Sequence, residues 1–237
     1  MALLTLNKLS AFYGKAQALH EIDIEVDEGE IIAVIGANGA GKSTMLDSIM
    51  GLTDTTGSIQ YDGAEISAMS AQHIVTKGIG YGSERFNLFP YLSVYDNLMA
   101  GAYTARDSIK QNLAQVFALF PRLAERRTQE TNNMSGGERQ MVSLGRAMMS
   151  NPKLLMVDEP TIGLAPKLCA EIAVALRKMR DDYGLTIIIT EQNAQFALTL
   201  AERIYVLESG KVMVSGSVDE LRNDPKLTEA YFGHQAH

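Results

Sequence analysis

The stretch that decides the fold is Gly36-Ala37-Asn38-Gly39-Ala40-Gly41-Lys42-Ser43-Thr44. It follows the apolar run Ile31–Ile35 and leads into Met45–Met50, an order that predicts a strand, a glycine-rich loop and a helix. The loop matches the pattern GxxxxGK(S/T), whose backbone N–H groups curl around a chain of phosphates because glycines leave them uncovered. The positive end of the following helix points into the same space. We therefore predict an α/β nucleotide-binding protein in which Lys42 reaches the terminal phosphates and Ser43 holds Mg²⁺.

The composition of the chain limits the classes of protein to which it can belong. The 237 residues are 46% hydrophobic, which is enough for a substantial core, and the net charge of −7 without a lysine- or arginine-rich block disfavours nucleic acid as a partner. Cys169 is the single cysteine, so an internal disulfide is excluded. The N-terminal residues lack the pattern of a signal peptide, and apolar runs such as Leu185–Ile189 are far shorter than the roughly twenty residues of a spanning helix. We expect any link to a membrane to come through a partner.

The chain on either side of the loop alternates strands with turns or helices. Alternating patterns predict two early antiparallel strands, and later apolar runs separated by helical patterns predict a mostly parallel sheet. The predicted strands cover residues 3–9, 19–26, 31–35, 58–61, 79–81, 154–157, 185–190, 203–208 and 211–214, and the predicted helices of this part cover 70–77, 166–182 and 193–201.

Between Glu84 and Ser150 the sequence pattern changes, and helical periodicity dominates. Ser93 is placed to cap one helix, residues 106–120 form an amphipathic pattern that Pro121 ends, and a third helix is predicted at 137–149. We interpret residues 84–150 as a helical lobe inserted into a core made of residues 1–83 and 151–237, all within one domain of 1–237. The apolar stripe of the 106–120 helix is either a partner-binding face or lobe core, and its spacing favours lobe core.

A second motif completes the nucleotide chemistry. The apolar run Leu154–Val157 ends in Asp158 and Glu159, and a parallel strand beside the phosphate loop would deliver both carboxylates at its carboxyl end. Asp158 fits an acid that holds Mg²⁺, and Glu159 fits a general base that polarises the attacking water. The alternative, a surface Asp-Glu turn before Pro160, is disfavoured because the phosphate loop upstream supplies the other half of such a site.

A third motif, Met134-Ser135-Gly136-Gly137-Glu138-Arg139-Gln140, opens the helix before that strand. Ser135 suits an N-cap, and the two glycines leave backbone amides uncovered at the positive end of the helix, which is a second device for binding phosphate. An ordinary capped helix is the alternative. One chain around one nucleotide has no evident need for two such devices, so the pair predicts two subunits that face each other.

The sequence MSGGE at these positions resembles the LSGGQ signature of ATP-binding-cassette ATPases, and the three motifs occur in that family's order along essentially the whole chain. The resemblance implies the ABC ATPase fold: a core with an N-terminal antiparallel β subdomain and the helical lobe. It also implies that ATP and Mg²⁺ are bound in a head-to-tail sandwich. In that sandwich, Ser135, Gly136, Gly137 and Glu138 would contact the ATP of the other subunit. Tyr13 lies where the family places an aromatic residue that stacks on adenine, and a strand-end tyrosine without this role is the less favoured alternative.

Several shorter segments resemble the LivF-type ATPases of branched-chain amino acid importers. They are Leu98–Tyr103, Gly163–Pro166, Glu191–Ala194 and Glu229–Gly233. This resemblance implies a peripheral protein at the cytoplasmic face of the inner or plasma membrane. Its implied partners are two transmembrane permease subunits, an external solute-binding protein that acts indirectly, and either a related second ABC ATPase or another copy of the chain.

Three positions depart from the general cassette pattern. Glu84 aligns with the glutamine at the hinge between core and lobe, where the family places a metal-site residue; Gln192 aligns with a histidine, and Ala165 with an aspartate. Gln192 can donate a neutral hydrogen bond to a γ-phosphate but cannot relay a proton, which places more of the catalysis on Glu159. The first two substitutions resemble the LivF-type subgroup. The divergent hinge segment, residues 83–90, leaves the solute and the membrane partner open.

We therefore expect an ATP hydrolase that powers an importer of branched-chain or other amino acids. An exporter or lipid-extraction ATPase of the same fold is the first alternative. A soluble cassette ATPase of DNA repair or translation is disfavoured because tandem cassettes, coiled coils and basic surfaces are not evident in the sequence. A small-molecule kinase is disfavoured because the signature would have no role.

Overall fold

The computed structural model describes residues 2–83 and 87–223 of the chain. The predicted hinge residue Glu84 and the tail segment Glu229–Gly233 lie outside the described residues. The strands are β1 (Ala2–Tyr13), β2 (Ala16–Asp27), β3 (Ile31–Ile35), β4 (Asp54–Tyr61), β5 (Ala64–Glu65), β6 (Ile79–Gly82), β7 (Leu154–Asp158), β8 (Thr186–Glu191), β9 (Arg203–Glu208) and β10 (Lys211–Ser217). The helices are α1 (Lys42–Ile49), α2 (Ala71–Thr76), α3 (Val94–Gly101), α4 (Ile109–Leu119), α5 (Pro121–Glu125), α6 (Gly136–Met148), α7 (Pro166–Asp181), α8 (Ala194–Leu200) and α9 (Val218–Asn223).

The chain folds into two compact units. One consists of the described residues up to Ala71 and from Ile188 onward, and the other of Gln72–Ile187. The boundaries predicted for the helical lobe, residues 84 and 150, both lie inside the second unit, and they stay a prediction. Helices of the described residues are all too short or too polar to cross a bilayer.

The first unit carries the predicted antiparallel sheet, with strand order β2-β1-β4-β5. Strands β1 and β2 form a hairpin in which Leu6 pairs with Ile24, and alternate residues of β2 are buried because one face of the sheet covers the core. Both strands are longer than predicted. Lys8 and Glu21 have positive φ angles of 45° and 47° and lie where the register shifts, so irregular backbone interrupts the alternation on which the prediction depended.

The same unit carries the strand that leads into the phosphate loop. All five residues of β3 are buried, and β3 pairs in parallel with β9 through matches such as Ala33 with Ile204. Strand β10 is antiparallel to β9. The predicted parallel arrangement is therefore confirmed for β3 and β9, with β10 added as an antiparallel strand.

The second unit contains the parallel pair β6 and β7 together with helices α3 to α7. Helix α6 packs closely on its neighbours at Gly145, where an added Cβ would lie 2.8 Å from Val116 Cγ1 and 3.0 Å from Leu98 Cδ2. Val116 is fully buried and Phe120 is 3% exposed. The interpretation of the 106–120 stripe as lobe core is confirmed at these two residues.

The predicted helix at residues 106–120 is only partly right. It begins as a short 3-10 helix, Arg106–Ser108, before α4 starts at Ile109. Phe120 leaves the helical region with φ −128° and ψ 74°, because a residue before proline avoids the α conformation. Pro121 then starts α5, since the fixed φ of proline suits a first helical position.

Candidate functional site

The phosphate loop is shaped by glycines whose place other residues cannot take. A Cβ on Gly36 would lie 2.2 Å from the carbonyl oxygen of Leu207, so the loop begins in direct contact with the backbone of β9. Gly41 precedes α1 with a φ of 107°, and a Cβ there would lie 2.7 Å from Leu19 Cδ2. A side chain at either position would clash or strain the backbone, and the loop is consequently held as a rigid turn between β3 and α1.

The middle of the loop is presented to solvent while its lysine is drawn inward. Ala37, Asn38 and Gly39 are exposed. Lys42 is 4% exposed, and its Nζ donates to the carbonyl oxygens of Gly36 at 2.7 Å and Ala37 at 3.1 Å. The ammonium group is thus held by the two carbonyls at the start of the loop.

The first turn of α1 places the remaining loop residues. The amide of Met45 donates to the carbonyl of Gly41 at 2.9 Å, which starts the helix directly after the loop. Ser43 and Thr44 are half-buried in this turn. Tyr13, at the end of β1, is 53% exposed and its hydroxyl donates to Thr44 Oγ1 at 3.4 Å. The aromatic ring predicted to contact adenine therefore stands beside the helix that follows the phosphate loop.

Gln192 also lies at the loop. The amide of Gly36 donates to the carbonyl oxygen of Glu191 at 3.2 Å, and Gln192 is the next residue along the chain. Gln192 is exposed, whereas Glu191 is 2% exposed, and a carboxylate oxygen of Glu191 accepts from the amide of Asn193 at 3.3 Å. The buried Glu191 carboxylate was not predicted, although an apolar strand that ends in an acid was a usable signal, as it was for β7.

In the second unit, Asp158 ends the fully buried strand β7 and is 3% exposed. Glu159 follows with 7% exposure and a φ of 45°. A left-handed conformation in a non-glycine residue costs on the order of 1–3 kcal/mol, so the surrounding turn must hold it. That turn includes the hydrogen bond from the Ile162 amide to the Glu159 carbonyl, at 3.2 Å. Two carboxylates are thereby buried side by side in sequence, with the second held in a strained turn.

The signature opens α6 with a complete capping box. The Ser135 hydroxyl accepts from the Glu138 amide at 3.3 Å, and a Glu138 carboxylate oxygen accepts from the Ser135 amide at 3.0 Å. Glu138 also pairs with Arg126 Nε at 3.3 Å. The predicted N-cap is confirmed. The Glu138 carboxylate, which we placed among the residues that contact ATP of another subunit, is used within its own chain at the cap.

The charge of Glu138 is favoured by this arrangement. Burial raises the pKa of its carboxyl, but hydrogen bonds from the Ser135 amide and hydroxyl, together with the cationic Arg126 and Arg122, outweigh burial and leave the pKa below its ordinary value. The Glu138 carboxylate also lies in the first turn of α6, where the helix dipole favours negative charge.

The two signature glycines differ in what surrounds them. A Cβ on Gly137 would lie 2.5 Å from Leu168 Cδ1 of α7, so close packing within the unit accounts for that glycine. A Cβ on Gly136 would meet only Leu164 Cδ2, at 3.9 Å. Packing among residues 2–83 and 87–223 therefore leaves the glycine at 136 unexplained, and Ser135 beside it is exposed.

The candidate residues fall into two groups. The first unit brings together Tyr13, the phosphate loop and Gln192, and the second holds Asp158, Glu159 and the signature. Ala165, where the family has an aspartate, is the N-cap residue of α7 and makes no side-chain cap bond because its methyl group has no acceptor. Residues 2–83 and 87–223 contain no group of three or more His, Cys, Asp or Glu side chains that could hold a metal ion.

Comparisons with known proteins agree with this geometry. A family model described as "ABC transporter" matches residues 19–162. The high-affinity branched-chain amino acid transport ATP-binding protein BraG of Pseudomonas aeruginosa is 44% identical over 233 residues, which cover 98% of this chain and 100% of that protein. A second relative, described as "Probable branched-chain amino acid transport ATP-binding protein LivF" of Archaeoglobus fulgidus, is 36% identical, covering 95% of this chain and 97% of its own. The lipopolysaccharide export protein LptB of Escherichia coli is 32% identical, covering 98% of both chains.

Solved structures show the same fold. The cassette MJ1267 of an ABC transporter superposes with a TM-score of 0.83 at 25% identity, covering 98% of this chain and 100% of its own. A dimeric structure of MJ0796, a bacterial ABC transporter cassette, superposes with a TM-score of 0.77 at 25% identity, covering 91% of this chain and 98% of its own. The predicted α/β fold class with its antiparallel β subdomain is confirmed by these matches.

Proposed function

Because the chain belongs to the ABC transporter family of ATP-binding proteins, we propose that it is the ATP-hydrolysing subunit of an importer for branched-chain amino acids. The observation that carries this proposal is the 44% identity to BraG, which runs over 98% of the chain. LivF supports the same solute class at a lower identity. The ABC ATPase activity follows from the family, and the solute follows from these two relatives.

The phosphate loop fits the polyphosphate of ATP. Its exposed residues Ala37 to Gly39 follow a glycine that contacts the backbone of β9, and the ammonium of Lys42 is bonded to the carbonyls at the start of the loop. Tyr13 is 53% exposed, and an accessible aromatic ring suits stacking on the adenine base. We assign the triphosphate to residues 36–44 and the base to Tyr13.

The donor set also fits Mg²⁺. The hydroxyl of Ser43 and the carboxylate of Asp158 are hard oxygen ligands, which this ion prefers over nitrogen or sulfur. Glu84, the third predicted ligand, lies outside the described residues. When bound, Mg²⁺ would neutralise charge on the phosphate oxygens and orient them.

Hydrolysis is assigned to Glu159 and Gln192. Glu159 accepts the proton of the attacking water, a role worth typically 10²–10⁴-fold in rate. Gln192 lies next to the carbonyl that anchors Gly36 and donates a neutral hydrogen bond toward the γ-phosphate.

The signature is assigned to a nucleotide held by another subunit. Gly136 has open space where a side chain would fit, and Ser135 is exposed beside it, so a phosphate approaching from outside the chain can reach the amides of this helix start. We infer a head-to-tail sandwich with a second related ATPase or with another copy of this chain. A dimeric arrangement is known for the cassette MJ0796.

Transport follows from cycles of this sandwich. ATP binding closes it and hydrolysis reopens it, and two transmembrane permease subunits convert the movement into passage of the solute. The protein would lie at the cytoplasmic face of the membrane, held there by the permease, with an external binding protein that delivers solute from the other side.

Export of lipopolysaccharide is the second candidate, because LptB matches 98% of the chain. Its identity of 32% is lower than the 44% of BraG, which is why we place import first. The two differ in the partner: an importer works with an amino-acid-binding protein, and an exporter does not.

Co-purification followed by reconstitution tests the proposal. The protein is isolated with its native permease, placed in proteoliposomes, and assayed for ATP hydrolysis with leucine-loaded and empty binding protein. We expect leucine-loaded binding protein to stimulate hydrolysis and leucine to accumulate in the lumen. Recovery of the chain with nucleic acid or ribosomes instead of multi-span membrane proteins would refute a transport role.

A further inference from the structure

A groove in the second unit has the dimensions of a small-molecule site. It has a volume of about 550 Å³ and lies between the α4–α5 junction, α6 and α7. Phe120 and Met141, each 3% exposed, form an apolar base, and the half-exposed Val174 extends it along α7. Cavities of roughly 300–1,000 Å³ with apolar walls and a few polar groups are typical of ligand sites.

The rim of the groove carries charges of both signs. Arg122 Nη2 of α5 lies 3.7 Å from Glu171 Oε1 of α7, and Lys167 stands one helical turn before Glu171. The side chains of Arg122 and Glu171 are 48% and 34% exposed, and such exposed pairs contribute little to folding stability. Two cations and one carboxylate therefore border an apolar surface. They can pair with a ligand instead of with each other with little loss of folding stability.

We propose that this groove binds an aliphatic α-amino acid. The ligand's carboxylate lies between Arg122 and Lys167, its ammonium group pairs with Glu171, and its side chain covers Phe120 and Met141. The choice of this ligand over other zwitterions rests on the proposed function, because an importer delivers aliphatic amino acids to the side of the membrane on which this chain lies.

The charge pattern distinguishes this ligand from simpler amphiphiles. An aliphatic carboxylate without an ammonium group would meet the Glu171 carboxylate unpaired, and an aliphatic amine would leave both cations without a new partner. Only a zwitterion matches all three charges, because each ligand charge finds at least one opposite charge on the rim.

The position of the groove links it to the ATPase. Met141 belongs to α6, the helix that begins at the signature, and Gly137 in the first turn of α6 packs on Leu168 of α7. A ligand held between α5 and α7 therefore touches the elements that support the signature. The site would make the rate of ATP hydrolysis depend on the amino acid concentration on the side of the membrane where this chain lies.

Direct binding to the purified chain tests the inference. L-leucine, 4-methylpentanoate and 3-methylbutylamine are titrated by calorimetry or ligand-observed NMR. We expect leucine to bind, and each analogue to bind at least about tenfold more weakly because it lacks one charge-assisted contact. Arg122→Gln should weaken leucine binding by about tenfold, and Glu171→Gln should remove the preference for leucine over 4-methylpentanoate.

Lys178→Gln, which removes a cation from an exposed position of α7 that does not line the groove, is the matched control and should leave leucine binding unchanged. If Arg122→Gln does not fold, Lys167→Gln tests the same carboxylate contact. Leucine binding that is undetectable, or equal in wild type and the groove variants, overturns the inference. Stimulation of ATP hydrolysis by leucine-loaded binding protein in proteoliposomes is measured independently of this groove. Failure of this inference and failure of the proposed function are therefore separate observations.

Discussion

The backbone amide of Gly36 donates a hydrogen bond of 3.2 Å to the carbonyl oxygen of Glu191. This bond joins the first glycine of the phosphate loop to the last residue of β8, and it fixes the residue that follows, Gln192, at the edge of the loop. The family resemblance places a histidine at this position. A glutamine can donate a hydrogen bond but cannot transfer a proton, so the part that we propose for Gln192 in hydrolysis is positioning.

Replacing Gln192 should slow turnover without preventing nucleotide binding. We expect Gln192→Ala to lower the ATP hydrolysis rate by about tenfold, the effect of one lost hydrogen bond to a charged group, while ATP affinity stays within about twofold. Gln192→His should retain most of the wild-type rate, because histidine also donates a hydrogen bond. A rate in Gln192→Ala equal to wild type would show that this side chain does not touch the γ-phosphate.

Tyr13 should matter through its ring and not through its hydroxyl. Tyr13→Phe removes only the 3.4 Å contact with Thr44 Oγ1 and should keep the ATP affinity. Tyr13→Ala removes a stacking surface worth roughly 1–3 kcal/mol, so the dissociation constant for ATP should rise at least about fivefold. Titration with tripolyphosphate is the control, since a ligand without a base should bind both variants equally. Equal ATP affinity in Tyr13→Ala and wild type would leave the tyrosine as a strand-end residue.

The signature glycines form a matched pair for separating packing from binding. Gly137→Ala places a methyl group 2.5 Å from Leu168 Cδ1 and should lower the free energy of unfolding by about 1–3 kcal/mol. Gly136→Ala has room within the chain and should leave chemical denaturation unchanged. It should nevertheless weaken ATP-dependent association, measured by light scattering, because the methyl covers amides needed by the opposing nucleotide. Association that survives both Gly136→Ala and the bulkier Ser135→Arg would argue against a signature that acts on another subunit.

The charge of Glu138 should make the stability that the α6 cap contributes depend on pH. Its folded pKa is lower than the ordinary value of 4.5, so its contribution to stability is fully present above that value and is lost as pH falls through the folded pKa. Glu138→Gln keeps the cap geometry but removes the charge. We expect the wild type to be more stable than this variant at pH 7, with the difference shrinking below about pH 4.5.

Exposed Glu125 on α5 provides the comparison for that experiment. Glu125→Gln removes one charge of the same type near the signature and should show little difference from wild type across the same pH range. The test is chemical denaturation of wild type, Glu138→Gln and Glu125→Gln, measured from pH 3 to pH 7. A gap between wild type and Glu138→Gln that stays constant with pH would show that the Glu138 charge does not stabilise the cap.

Much of the fold could be read from the sequence because the informative segments are buried on all sides. Strand β3 was predicted with its correct bounds, and β7 within one residue, since an uninterrupted apolar run is typical of a strand with both faces covered. The Ser135 cap followed from residue chemistry alone. The local order of strand, loop and helix around residues 36–44 was equally clear.

Other features depend on contacts that sequence spacing does not reveal. The pairing of Arg126 with Glu138 joins residues twelve positions apart, the C-cap residue of α5 and the first turn of α6. The short strand β5 and the terminal helix α9 are too brief for a periodic signal. The positive φ of Glu159 is imposed by its turn and not by its residue type. The motif Ser-x-x-Glu was a usable signal for the role of Glu138 in the cap.

ATP turnover by Glu159→Gln tests the central claim most directly. The variant and wild type are assayed together for ATP hydrolysis and for ATP-dependent association, with Asp182→Asn, an exposed change at the end of α7, as the control. The account predicts that Glu159→Gln binds ATP with wild-type affinity, hydrolyses it at least about 10²-fold more slowly, and accumulates as an ATP-bound dimer or heterodimer. Hydrolysis by Glu159→Gln at a rate near that of wild type would contradict it.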